Sequence, residues 1–100
     1  LIKAEAALRQ GKTADALAAV NQIRTRAGMP AYASITLDEL FNEIGREMFA
    51  EANRRTAQIR FGKWNQPWWE KGQSEPFRVL FPIPLNQINA NPNLTQNPGY

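Results

Sequence analysis

Cysteine and histidine are both missing from these 100 residues. Their absence removes disulfides, thiolate or imidazole metal sites and histidine-based catalysis from this chain. A di-metal carboxylate site of the helical-bundle kind also wants histidine partners, so no metal and no cofactor is expected. No apolar run approaches the ~20 residues that a membrane-spanning helix requires. Like charges form no block, so the net charge of +3 and pI near 9.7 do not describe a nucleic-acid tail, and no nucleic acid is expected as partner. The first residue is Leu1, with no initiator methionine, signal peptide or lipidation cysteine before the helical pattern begins. The chain is therefore read as an excised or processed C-terminal fragment, whose start is silent about targeting.

What is present is organised around Ile35 to Trp64. Thr36 and Glu39 have the spacing of a capping box, and Ile35 and Leu40 that of a hydrophobic staple. Leu37, Leu40, Phe41, Ile44 and Met48 then recur at helical spacing as one apolar stripe. Glu43, Glu47 and Glu51 are read on the opposite side, four residues apart, where like charges repel by roughly 0.2–0.5 kcal/mol per pair. Arginines are the expected compensation, with Arg54, Arg55 and Arg60, together with Arg46, as the supply. Pairing of Arg54, Arg55 or Arg60 with these acids is expected because planar guanidinium suits bidentate carboxylate pairing.

Upstream, residues 1–30 predict a helical hairpin. An Ala-rich first helix ends at Gly11, where a left-handed cap belongs. Thr13 suits the next N-cap, with Asp15 in the first turn. Ala16, Leu17, Val20, Ile23 and Ala27 form the second apolar face, closed by Gly28 and Pro30. Small residues at Ala4, Ala7, Ala16 and Ala19 permit close approach, in the manner of a tetratricopeptide pair.

Residues 35–64 are expected as a long helical stretch that breaks or bends near Ala52–Arg55. Residues 65–100 are expected as an irregular tail. Gly62 interrupts the helical pattern, Trp64, Trp68 and Trp69 cluster around Pro67, and the prolines of the 78–84 segment exclude a central strand. Leu85 to Ala90 suits one short helical turn, and the Asn-, Pro- and Gly-rich end reads as tight turns. Leu80, Phe81, Ile83, Leu85, Ile88 and Leu94 predict an ordered tail packed across the helices, a mainly all-α fold in sum.

Several motifs occur in one order: Glu43, Glu47, Glu51 and the small Ala52; Arg54-Arg55; Arg60-Phe61-Gly62-Lys63; Trp68-Trp69-Glu70-Lys71; LFPIP at 80–84; and NPNLTQNPGY at 91–100. With VNQIRTRAGMP from Val20, they make the chain similar to the C-terminal portion of SusD/RagB-type outer-membrane nutrient-binding lipoproteins. The resemblance covers nearly the whole chain. It departs at Ala57 and Gln58, where the family commonly has aspartate then leucine, and at Ala50, where an aromatic is common. The resemblance implies a non-catalytic cell-surface protein with tetratricopeptide-like helices. Such a protein is lipid-anchored through an N-terminal cysteine that this chain does not contain. It delivers glycan to a SusC-like TonB-dependent transporter.

Each feature has two readings. The glutamates at 43, 47 and 51 could be paired carboxylates of a glycosidase, but acids facing arginines on a helix are usually structural, and the resemblance is to binding proteins. Trp68 and Trp69 are the candidate glycan contacts, against a reading as packing residues; adjacent tryptophans rarely face one way, so at most one is a platform. A generic tetratricopeptide-like interaction module is the alternative function. It accounts for the hairpin and leaves the tail motifs unexplained.

Overall fold

The computed structural model describes residues 1–100 and is helical throughout its regular parts. Helix α1 spans Ile2–Arg9, α2 Thr13–Arg26, α3 Leu37–Glu47, α4 Arg54–Arg60 and α5 Leu85–Ala90, with a 3₁₀ turn over Pro76–Val79. No strand forms; a lone antiparallel bridge joins Trp68 and Lys71. The chain divides into two compact units, Leu1–Ala57 and Gln58–Tyr100.

In the first unit, α1 and α2 are joined by a tight turn in which Gly11 takes φ +75°. The Gly11 and Lys12 amides donate back to Leu8 and Ala7, satisfying carbonyls that the end of α1 leaves open. Thr13 is not the N-cap: it is the first helical residue, and the preceding Lys12 supplies no side-chain cap. The three-residue turn leaves no room for a separate capping residue after Gly11. Ala4, Ala16 and Val20 are completely buried, so the small residues do bring the two helices together. Helix α3 starts as its sequence demands. Thr36 accepts the Glu39 amide at 3.1 Å while the Glu39 carboxylate accepts the Thr36 amide at 2.7 Å, a complete capping box. Its buried residues are Leu40, Phe41, Glu43 and Ile44. Glu43 thus belongs to the buried side rather than the opposite one. At 100° per residue it lies only about 60° around the helix from Leu40.

The long helical stretch breaks earlier than expected, after Glu47, and resumes at Arg54. Between them Ala50 and Ala52 hold φ +63° and +57°, a region that costs an L-residue about 1–2 kcal/mol. Beyond this elbow Arg54 folds back. Its guanidinium lies 3.8 Å from the Phe41 ring centroid and donates to the Phe41 carbonyl at 3.0 Å. That seat exists because residue 45 is glycine: a Cβ there would fall 2.5 Å from the Arg54 terminal nitrogen. Ala52→Gly is expected to stabilise the chain by about 0.5–1 kcal/mol, relief of the φ strain exceeding glycine's entropy cost. Urea melts decide it, and an Ala52→Gly variant less stable than the parent would mean that the elbow carries no strain.

The second unit has no fully buried residue and is tied by polar groups instead. Gly62, at φ +69°, ends α4, and the Lys63 amide returns to the Gln58 carbonyl at 2.7 Å. The Gln96 side chain brackets Ile83, accepting from its amide at 2.8 Å and donating to its carbonyl at 2.9 Å. Asn97 donates to the Phe81 carbonyl at 2.7 Å, and the Tyr100 hydroxyl to the Leu80 carbonyl at 2.8 Å. Tyr100 meets Phe77 edge-on at 5.0 Å, and Gly99, at φ +94°, passes directly over the Phe77 ring. The expected burial of the tail's apolar residues is corrected here. Leu80, Phe81, Leu85 and Leu94 are 48, 70, 71 and 37% exposed, and Ile83 and Ile88 are half-buried. Side-chain amides satisfying backbone groups, rather than aliphatic burial, hold this tail's shape.

Candidate functional site

Three arrangements of side chains carry the chain's chemistry. The most enclosed joins α2, the loop after it, and α3. Ala16, Val20 and Arg24 follow one another at spacing four on the buried side of α2, which carries the Arg24 guanidinium inward. There it donates to Glu43 Oε2 at 2.9 Å and to the Pro30 carbonyl at 2.7 Å, and lies 3.8 Å from the centre of the Tyr32 ring. The Tyr32 hydroxyl donates to Glu43 Oε2 at 3.1 Å and accepts from Arg46 at 2.7 Å. Arg46 itself bonds Glu43 Oε2 through Nε at 3.1 Å and through a terminal nitrogen at 2.5 Å. Asn21 pins the same loop by bonding both the amide and the carbonyl of Tyr32.

Burial alone would push the Glu43 carboxyl up. The hydrogen bonds from Arg46 and Tyr32, with the charges of Arg46 and Arg24, outweigh it and hold the group below the usual carboxylate range. In return, the Glu43 hydrogen bond raises the Arg46 pKa. A carboxylate held ionised by two guanidiniums and a phenol is a poor proton donor. All of these bonds converge on Oε2, so the arrangement locks a loop to two helices rather than presenting a proton to a substrate.

The remaining acids and arginines have varied surroundings. Glu47 pairs with Arg26, an exposed partner, and Glu51 lies beyond α3 in the elbow, solvent-exposed. Arg54 reaches the Phe41 carbonyl, not a carboxylate, because α4 begins after the elbow and its register no longer continues that of α3. Arg60 lies 5.7 Å from the Phe61 ring centroid, and Arg55 is half-buried on α4. The partners that Glu43 and Glu47 take are therefore Arg24, Arg46 and Arg26. Arg24 was legible as a charge on the apolar line of α2; Tyr32 had no sequence signal of its own.

The second arrangement is an open concavity of about 860 Å³ at the elbow, lined by Asn42, Met48, Phe49, Ala52, Asn53 and Arg54 among others. The third is the tryptophan cluster of the second unit. The Trp64 indole N–H donates to the Arg78 carbonyl at 2.9 Å, and its ring lies 6.1 Å from that of Trp68. Trp68 and Lys71 exchange backbone hydrogen bonds at 3.0 and 2.9 Å, closing a two-residue turn whose outer positions are Trp69 and Glu70. Trp68 is 42% exposed and Trp69 85%, so the structure separates the two candidate glycan contacts: Trp68 leans on the cluster and Trp69 does not.

Comparison with known proteins adds to this geometry. The model of the SusD family matches residues 1–76 and 64–100. The starch-binding protein SusD of Bacteroides thetaiotaomicron is 36% identical over an alignment that covers 100% of this chain and 20% of the relative. The chain thus spans about a fifth of the length of the curated relative it matches. Because the family match takes in both the helical unit and the tail, this chain belongs to the SusD family.

Proposed function

We propose that this chain is a C-terminal scaffold part of a cell-surface glycan-binding protein, one that delivers oligosaccharides to a SusC-like TonB-dependent transporter in the outer membrane. Anchoring through a lipidated N-terminal cysteine outside this sequence completes the reading, as does a tetratricopeptide-like role for the α1–α2 hairpin. The observation that carries it is the 36% identity to a starch-binding protein across the whole chain. The engaged state of Glu43 supports a binding role over a hydrolytic one, since no carboxylate pair is left poised for proton transfer.

Electrophoresis of the chain through gels containing amylopectin, xylan, laminarin or mannan tests the proposal. Retardation in at least one gel, without release of reducing ends, is expected. Migration unchanged in all four, or reducing ends released and then lost on Glu47→Gln, would count against it.

A further inference from the structure

The reading as a glycan-binding protein leaves open which side chain of this chain meets a sugar, and the second unit points to one. The turn Trp68-Trp69-Glu70-Lys71 is held from below. Both of its backbone bonds are made, and the Lys71 ammonium places all three donors, on the Gln66 carbonyl at 3.2 Å, the Gly72 carbonyl at 3.1 Å and Ser74 Oγ at 3.3 Å. The same ammonium lies 4.2 Å from the centre of the Trp68 ring. Trp64 and Trp68 are thus occupied as foundation, one through its indole N–H and the other between Lys71 and Trp64. Glu70 adopts φ +59°, a strained value for a residue with a side chain. This conformation closes the turn and leaves Trp69 at its tip.

Trp69 is the most exposed large apolar side chain of the chain, at 85%. It sits on a fixed backbone beside the exposed carboxylate of Glu70. A flat π-face next to a carboxylate acceptor and a free indole N–H donor matches one ligand chemistry well: a pyranose, whose axial C–H face is apolar and whose rim is hydroxyl. A fixed turn also loses little conformational freedom when a ring settles on it.

Resting on the glycan-binding reading, we propose that Trp69 is a stacking platform for a pyranose ring of a neutral oligosaccharide, with Glu70 accepting from its hydroxyls. Trp68 and Trp64 are positioning residues that hold the turn.

The test uses the whole chain and the oligosaccharide of whichever polysaccharide retards it most. The three indole N–H resonances are followed during titration. Trp69 is expected to shift first and furthest, with Trp64 and Trp68 nearly still. Trp69→Ala is expected to weaken binding by about tenfold, the order that one aromatic contact supplies, and Trp69→Phe to recover part of it. Far-UV circular dichroism and the Trp64 indole resonance should be unchanged in both variants. Binding of equal affinity in Trp69→Ala overturns the platform and leaves the glycan reading standing. No retardation by any of the four polysaccharides overturns both. A Trp69 resonance that moves with protein concentration and not with sugar also overturns the platform, assigning Trp69 to self-association.

Discussion

Glu43→Ala is expected to cost about 3–5 kcal/mol, most of what a domain of this size has to spare. The cost comes from what remains rather than from what is removed. Arg24 is buried to 8% exposure, and without Glu43 its charge keeps only the Pro30 carbonyl and the Tyr32 face. Arg46, more than half exposed, turns to water and loses little. Arg26→Gln, which frees Glu47 from an exposed partner, should cost less than about 1 kcal/mol. Urea melts of the two variants decide it: similar small losses would mean that the Glu43 cluster is merely solvated. Replacing Arg24 and Glu43 together with methionine and leucine should recover much of the loss, since paired apolar groups leave nothing stranded.

The same cluster fixes the sign of a pH effect. The Glu43 pKa is lowered in the folded chain, so its contribution is present above the unfolded-state pKa and is lost as pH falls through the folded value. Stability should decline on the acid side of the ordinary carboxylate range. Glu43→Gln should flatten that limb.

Gly99→Ala is expected to release the end of the chain. A methyl group there would occupy the space of the Phe77 ring, at a φ of +94° that L-residues rarely adopt. Overpacking costs about 1–3 kcal/mol, and the backbone strain a similar amount. A chain end has an escape, however: it can detach. The loss is therefore capped by what docking of the last residues is worth, and it appears as local opening rather than as global unfolding. Amide exchange at Ile83, whose N–H is held by Gln96, should accelerate, and proteolysis within residues 80–100 should quicken. Gly72→Ala is the control, since nothing lies within 4 Å of a Cβ built there. If the two variants exchange alike at Ile83, the Phe77–Tyr100 closure does not hold the tail.

Much of the helical unit was legible because its signals are local. The capping box at Thr36 and Glu39, the Gly11 turn and the Ala16–Val20 stripe each act within a few residues, and the structure follows them. The Thr13 cap failed because a short turn overrode a propensity. The acid side of α3 was misread because spacing of four was taken as a separate face, when Glu43 lies next to Leu40 around the helix. A charge on the apolar line of α2 and an opposite charge on that of α3 are the legible trace of a buried pair. Their partner Tyr32 comes from a loop, where no periodicity reports direction. In the tail, apolar letters suggested burial, yet amides do the holding. Such pairings span many residues and leave no local pattern. Both Trp68 and Trp69 are exposed, Trp69 about twice as much, and that difference arises from contacts with Trp64 and Lys71 that composition does not disclose.

Position 45 shows how one residue's tolerance is written by another. The Arg54 guanidinium fills the space that a side chain on Gly45 would need, so the two sites are not free to change independently. A side chain at 45 has to displace the end of the flexible Arg54 side chain, so its cost is the loss of the Phe41 carbonyl and ring contacts rather than a clash with backbone.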